Sequence, residues 1–364
     1  MSRNPARAGY VLLLASSLAV LVLLTVVYFT QRTEVVETGP WRAIPLPDVS
    51  HQPIELSVTQ VINPRFPALS REQLQATLRR AEQLARQHLD VQIKLKTTED
   101  MTIGAFFSLL PDQPRQARQN EIIDPMQVTA EQRRKMQQSL LESMRNGDTP
   151  TDQLLSYARP YLLTRQPVDN LTQLADAVID TMLKRVRTWY EYPAADGRPV
   201  LDGSPYNQWV WWDSMGYADL PMQVVITNQL VASLENYDQA LHTCLRGGIS
   251  GGTMTYSRSS PNGGYLFVSV YALLNDNPAL APLKDGEYSP QQVVDYAAAT
   301  LVHELGHLLF HYGHPFGAEG CIMAPTPLLR YQHWFDQLDA AACAAERYPQ
   351  MRPGAARILY HSGW

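Results

Sequence analysis

The run VVDYAAATLVHELGHLLF, Val293 to Phe310, decides how the rest of this chain is read. Its apolar residues recur at helical spacing, which predicts a helix. Late in that run stands His303-Glu304-Leu305-Gly306-His307, an HExxH motif. Residues four apart on a helix share one face a turn apart, so both imidazoles can reach a single metal ion. Glu304, beside the first histidine, is then placed to act as a base on water at that ion instead of binding it. Two surface histidines on an ordinary helix would show the same spacing, but the residues that follow also fit a metal site.

A tetrahedral zinc ion takes a third protein ligand and keeps one position open. His311 continues the series from His307, yet it would stand about 12 Å from His303 along a straight helix. Zinc–nitrogen bonds of about 2.1 Å cannot span that. His314 lies between Gly313 and Pro315. Glycine can take the left-handed conformation that ends a helix, and proline cannot continue one. The chain is therefore expected to reverse at Gly313 and bring His314 back to the metal. His314 is the favoured third ligand, with His311 and Glu319 as the alternatives, and the expected cofactor is one catalytic Zn2+ ion.

With Cys321-Ile322-Met323-Ala324-Pro325 added, the pattern resembles the metzincin zinc peptidases, and in its Cys-x-Met spacing it is most similar to the archaemetzincins. The resemblance implies an α+β fold in which a mixed sheet and an active-site helix form a metzincin-like zincin domain. It implies that Met323 lies in a tight turn beneath the metal and supports the site without touching the ion. It also implies that the strand before the active-site helix, here Gly264 to Leu274, is an edge strand that aligns a substrate backbone. The chain departs from the family pattern in two ways. The family's third histidine falls at the position of Gly313 and its helix-ending glycine at Phe310, so His314 is one residue late. The cysteines that hold a second, structural zinc in archaemetzincins are missing.

Composition is ordinary for a globular protein, at 45% hydrophobic and 18% charged. The N-terminus is the exception. Tyr10 to Phe29 carries no charge and is long enough to cross a bilayer as a helix. Arg3 and Arg7 precede it, which favours a cytoplasmic N-terminus and a domain on the far side, periplasmic if the source is bacterial. No small-residue cleavage site follows, so an uncleaved signal-anchor is expected. Of the 30 Lys+Arg, only Arg3, Arg7 and Arg32 precede residue 33, and all 35 Asp+Glu follow it. The exported part is mildly acidic, which argues against a nucleic-acid partner. Three cysteines, Cys244, Cys321 and Cys343, allow at most one intramolecular disulfide. Cys321 and Cys343, both near the motif, are the favoured pair, and the alternative is three buried thiols.

The expected organisation is a cytoplasmic N-terminus at 1–9, a transmembrane anchor at 10–29 and a proline-rich tether at 30–53. A catalytic domain built from 54–97 and 220–364 is interrupted by a helical insertion at 98–219, too long to be a loop. Ile54 to Ile62 and Val91 to Leu95 alternate as strands around an amphipathic helix, Ser70 to His88. Ala130 to Arg145, Thr151 to Leu163 and Asn170 to Tyr190 read as helices, and Trp209, Trp211 and Trp212 as core. Met222 to Val231 reads as a third strand. Gly247, Gly248, Gly251 and Gly252 read as a loop beside a cleft. Tyr331 to Arg347 reads as a final helix.

The function expected from these features is a membrane-anchored zinc metallopeptidase acting on a peptide or protein substrate, with Glu304 as general base. One alternative is a catalytically silent zinc-binding relative that binds a partner in the envelope. Another is a hydrolase of a different amide bond, because HExxH reports the metal and the base and not the substrate.

Overall fold

The computed structural model describes residues 42–43, 46–120, 123–146, 151–201, 208–217, 223–232, 248, 250–254, 256–257, 264–315, 317–324, 326 and 329–355. They belong to one compact unit, Arg42–Trp364. The expected anchor, most of the expected tether, Cys244, Gly247 and Pro325 lie outside the described residues. Among the described residues no helix is long and apolar enough to cross a membrane.

The chain enters with β1 (Ile54–Ile62), α1 (Arg71–Leu89) and β2 (Ile93–Thr97). A capping box starts α1, with Ser70 and Gln73 each bonding the other's backbone N–H, and Asp90 ends it in the left-handed conformation. Strands β3 (Met101–Thr102), β4 (Val224–Thr227), β5 (Gly251–Met254) and β6 (Tyr265–Ser269) complete a mixed sheet. Its order is β2-β1-β4-β6-β5, with β3 also on β1. All pairs are parallel except β5 with β6. Part of the expected tether is docked on the domain, since Arg42–Ala43 pairs with Tyr256–Ser257.

Side chains alternate across this sheet with the period of a strand. Leu56, Val58, Val224, Ile226, Leu266 and Val268 face the layer formed by α1 and α5 (Pro290–Phe310). Val61, Val225, Tyr265 and Phe267 face the opposite way, into a smaller aromatic cluster with Phe106, Phe107, Trp211 and Trp212. Residues 98–219 are therefore not an insertion packed only on itself. Their two-residue strand extends the sheet and their aromatic residues cover its second face, which would otherwise leave large apolar side chains in water. The other helices of this stretch, chiefly Ala130–Asn146 and Leu171–Glu191, join the main core. Arg65 ties them to the end of β1 through Asp196 at 2.7 Å and the Pro199 carbonyl at 2.8 Å.

Three expected elements are shorter than their patterns suggested. The third strand is Val224–Thr227, within the expected 222–231. The strand expected from Gly264 to Leu274 is Tyr265–Ser269, followed by a helical turn at Tyr271–Leu274. It is also not an edge: β6 is buried along its whole length, and β5 lies outside it. Tyr265-Leu-Phe-Val is apolar at successive positions, the mark of a strand covered on both faces. The expected final helix, Tyr331 to Arg347, is a helix only over Tyr331–Asp336 (α6), then a 3₁₀ turn over Ala340–Cys343. Asp339 starts that turn by accepting from Ala341 N at 3.0 Å.

Candidate metal centre

Helix α5 begins with a second capping box, Ser289 with Gln292, and Pro290 in its first turn. From Val293 to Leu309 only Asp295 escapes full burial. The helix rests on α1 and on β5 and β6, and Tyr288, Tyr296, Tyr331 and Phe335 pack around its first half. Burial pushes the Tyr288 phenol well above its ordinary pKa, helped by its bond to Asp285. That phenol remains neutral and serves as packing, not as an acid or base.

The helix ends at Phe310, and the residue in the left-handed conformation is His311, at φ 51° and ψ 41°. This corrects the expectation that Gly313 makes the reversal, since Gly313 has no positive φ. The correction also accounts for the late third histidine. In the pattern that this chain resembles, helix-ending residue and third histidine stand three apart. His311 and His314 keep that interval, and both have moved by one. Gly313 N donates to Gln350 O at 2.8 Å and Gly354 N to Phe310 O at 2.8 Å, so the C-terminal segment braces the returning loop.

The loop brings His314 against the helix face of His303 and His307. Their Nε2 atoms form a triangle with sides of 3.1, 3.1 and 3.2 Å. Three nitrogens on a tetrahedral zinc ion at about 2.0–2.1 Å stand about 3.3–3.4 Å apart, so the trio fits such an ion closely. Proton accounting makes the fit sharper. Nδ1 of His303 lies 2.8 Å from Ile322 O, and Nδ1 of His307 is hydrogen-bonded to Tyr312 O. A carbonyl oxygen can only accept, so both Nδ1 atoms carry a proton, and in the neutral rings both Nε2 atoms present the lone pair that a metal ion would take. A proton on His314 Nε2 would satisfy at most one of them. Buried lone pairs aimed at one point repel unless a cation lies between them. The three-histidine cluster is a site that can bind a metal ion such as zinc.

The other expected site residues stand around this trio. Glu304 is 5% exposed, and its carboxylate accepts from Thr253 Oγ1 at 2.7 Å. Met323 is fully buried and reaches the helix from below, where a Cβ added at Gly306 would come within 2.2 Å of its sulfur. Cys321 and Cys343 are joined in a disulfide, which fixes the turn that offers Ile322 O to His303. His311 is buried but outside the trio, and Glu319 is exposed and also outside it.

Sequence reasoning missed three residues here. Gly306 is needed because Met323 fills the space of any side chain, and Gly251 because a Cβ there would lie 2.6 Å from Glu304 Oε1. Thr253, two residues on, faces the same carboxylate. The glycine-rich stretch beside a cleft was visible in the sequence, but Gly251 and Gly252 belong to the edge strand and not to a loop.

No family model matches this sequence, and no curated protein matches it. Among solved structures, the chain is similar to the crystal structure of archaemetzincin from Methanopyrus kandleri, at 12% identity and a TM-score of 0.28. The likeness covers 86% of this chain and 98% of that one. So loose an overlay pairs no individual residues, and the chemistry rests on this chain's own side chains.

Proposed function

We propose that this chain is a membrane-anchored zinc metallopeptidase, with zinc on His303, His307 and His314 and Glu304 as its general base. The observation that carries the reading is the convergence of three imidazole nitrogens beside a buried carboxylate. A zinc ion in such a set supplies Lewis acidity, bringing the pKa of a coordinated water near 7 and polarising a carbonyl oxygen. Glu304 takes the proton released as water attacks the scissile carbonyl and later delivers it to the leaving amine. Among the described residues the set is these three histidines, with His311 and Glu319 outside it, so a bound zinc ion would keep a position for water. That favours an enzyme over the catalytically silent relative. Among the described residues strand β5 ends the sheet, and an extended peptide can add to such an edge through its backbone groups, which supports a peptide substrate. The membrane anchor rests on the charge-free run from Tyr10 to Phe29 alone.

The test is zinc stoichiometry of the full-length chain, alone and as His314→Ala and His311→Ala. One zinc per chain is expected, lost in His314→Ala and kept in His311→Ala. A wild-type chain without zinc would overturn the reading. Zinc retained in both variants would also overturn it, by removing His314 from the site.

A further inference from the structure

Glu304 does not stand alone on its helix. Strand β5 lies across it, and residues 251 and 253, two apart, present the same face to the carboxylate. At Gly251 the strand backbone comes so close that a Cβ would meet Glu304 Oε1, Cγ and Cδ at 2.6, 2.7 and 2.9 Å. At residue 253 a hydroxyl takes the place of that contact. Thr253 Oγ1 lies 2.7 Å from Glu304 Oε2 and 3.0 Å from the Glu304 backbone oxygen. A hydroxyl has one proton to give, and the nearer, charged oxygen takes it. One carboxylate oxygen is thus held by Thr253 while the other is confined over Gly251.

We infer that Thr253 is the positioning residue of this site, fixing the orientation of the Glu304 carboxylate from the edge strand. This rests on the role proposed for Glu304 and deepens it. Both of these hydrogen-bonding contacts of the Thr253 hydroxyl fall on Glu304, so its effect is to be read on the base, with zinc content as the control. Because the hydroxyl sits on β5, the base moves with that edge. Displacing the strand turns the carboxylate, and adding a backbone along the strand's free side would stiffen it. A carboxylate on a free three-bond side chain samples several rotamers, whereas one held by a hydrogen bond at Oε2 and packed close to the strand backbone is oriented for proton transfer.

The experiment uses the zinc-loaded full-length chain and acetohydroxamate as the probe. This small molecule chelates the ion and hands its hydroxyl proton to an adjacent carboxylate, so no peptide substrate is needed. Zinc stoichiometry and acetohydroxamate Kd are measured for the wild type, Glu304→Gln, Thr253→Val and Thr253→Ser. Thr253→Val keeps the shape and removes the hydroxyl, and Thr253→Ser restores it. Zinc is expected at one per chain throughout. Acetohydroxamate should bind about tenfold more weakly in Thr253→Val, which corresponds to about 1.4 kcal/mol, and nearly normally in Thr253→Ser. Loss of zinc in Thr253→Val would show a merely structural role and overturn the inference. Unchanged affinity in Thr253→Val, with affinity weakened in Glu304→Gln, would overturn it and leave the base intact. Zinc bound normally with affinity unchanged in Glu304→Gln would instead remove the base itself, and with it the reading on which Thr253 depends.

Discussion

Helices α1 and α5 lie against each other and are built by the same local rules, yet only α5 carries residues of the candidate metal cluster. Each opens with a Ser–Gln capping box, and each ends in a non-glycine residue held left-handed, Asp90 at φ 51° and His311 at φ 51°. They differ in what they bury. Helix α1 is amphipathic, and Thr77 is its one fully buried polar residue. Helix α5 is enclosed all round and buries Thr300, His303, Glu304 and His307. Burying a polar group costs free energy unless something satisfies it. On α5 that cost is offset by hydrogen bonds to Tyr296 O, Thr253, Ile322 O and Tyr312 O, and a bound metal ion would satisfy the histidine nitrogens that remain. Capping and length therefore say where a helix is, while its buried polar residues say whether it works.

The largest effect expected from this contrast comes from exchanging one buried polar group on each helix. Glu304→Gln should keep its zinc and lose peptide hydrolysis by a factor of about 10²–10⁴, the usual contribution of a general base. Thr77→Val should change neither metal content nor rate. Its hydroxyl has no hydrogen-bond partner, so an apolar replacement of the same shape is expected to leave stability equal or slightly higher. Metal analysis with turnover on a peptide library checks the first, and urea unfolding checks the second. Wild-type turnover in Glu304→Gln would remove α5's claim to be the working helix.

Glycine gives the next effect, with opposite signs in two places. Alanine stabilises an exposed helix relative to glycine by about 0.5–1 kcal/mol. Gly104 is exposed with no atom near the position of its missing Cβ, so Gly104→Ala should gain about that much. In α5 the same change at Gly306 drives a methyl into Met323, and Gly306→Ala should cost about 1–3 kcal/mol. Because Met323 adjoins Ile322, whose carbonyl orients His303, zinc affinity should fall in the same variant. Denaturant titration and zinc competition report the two losses separately.

How much of this could be read beforehand follows the same division between local and assembled. The two helix histidines and their glutamate are four residues of spacing on one element, and local periodicity encodes them directly. Met323 and the Cys321–Cys343 pair also sit close in sequence to what they support. The reversal at His311 was not legible, because glycine's left-handed preference pointed to Gly313 while contacts with the C-terminal segment decided the outcome. The edge strand was hidden for the opposite reason. Gly251-Gly-Thr-Met has poor strand propensity and is a strand only because β6 pairs with it. The family resemblance placed the edge in Gly264 to Leu274, although the apolar character of Tyr265 to Ser269 on both faces belongs to an interior position. Thr253 meets Glu304 across 51 residues of sequence, and no spacing rule reaches that far.

A smaller effect tests the shared grammar. Ser70→Ala and Ser289→Ala each remove a side chain that accepts from the backbone in the first turn, and each should cost about 1 kcal/mol. Equal losses would support capping as purely local. A far greater loss at Ser289 would mean that the enclosed helix depends on its start in a way that α1 does not.

The smallest expected effect concerns the imidazole that α1 does own. His88 lies in its last turn, and the ring's buried Nδ1 has no hydrogen-bond partner, unlike the Nδ1 atoms of His303 and His307. Burial pushes its pKa below the ordinary value of 6.5, with Asp339 opposing and Arg80 assisting. The folded chain therefore binds a proton there less readily than the unfolded chain, whose histidine titrates near 6.5. Its contribution to stability is complete above that pH and is lost progressively as pH falls from about 6.5 toward the lower folded value. His88→Gln removes the titration, so its unfolding free energy should fall less steeply than the wild type's between pH 7.5 and 5.5. Everything that the two proteins share cancels in the comparison, so the difference between the two slopes is the quantity to measure. Identical slopes would mean that the His88 ring finds a partner or solvent when charged. The contrast between an idle imidazole on α1 and committed ones on α5 would then lie in metal binding alone.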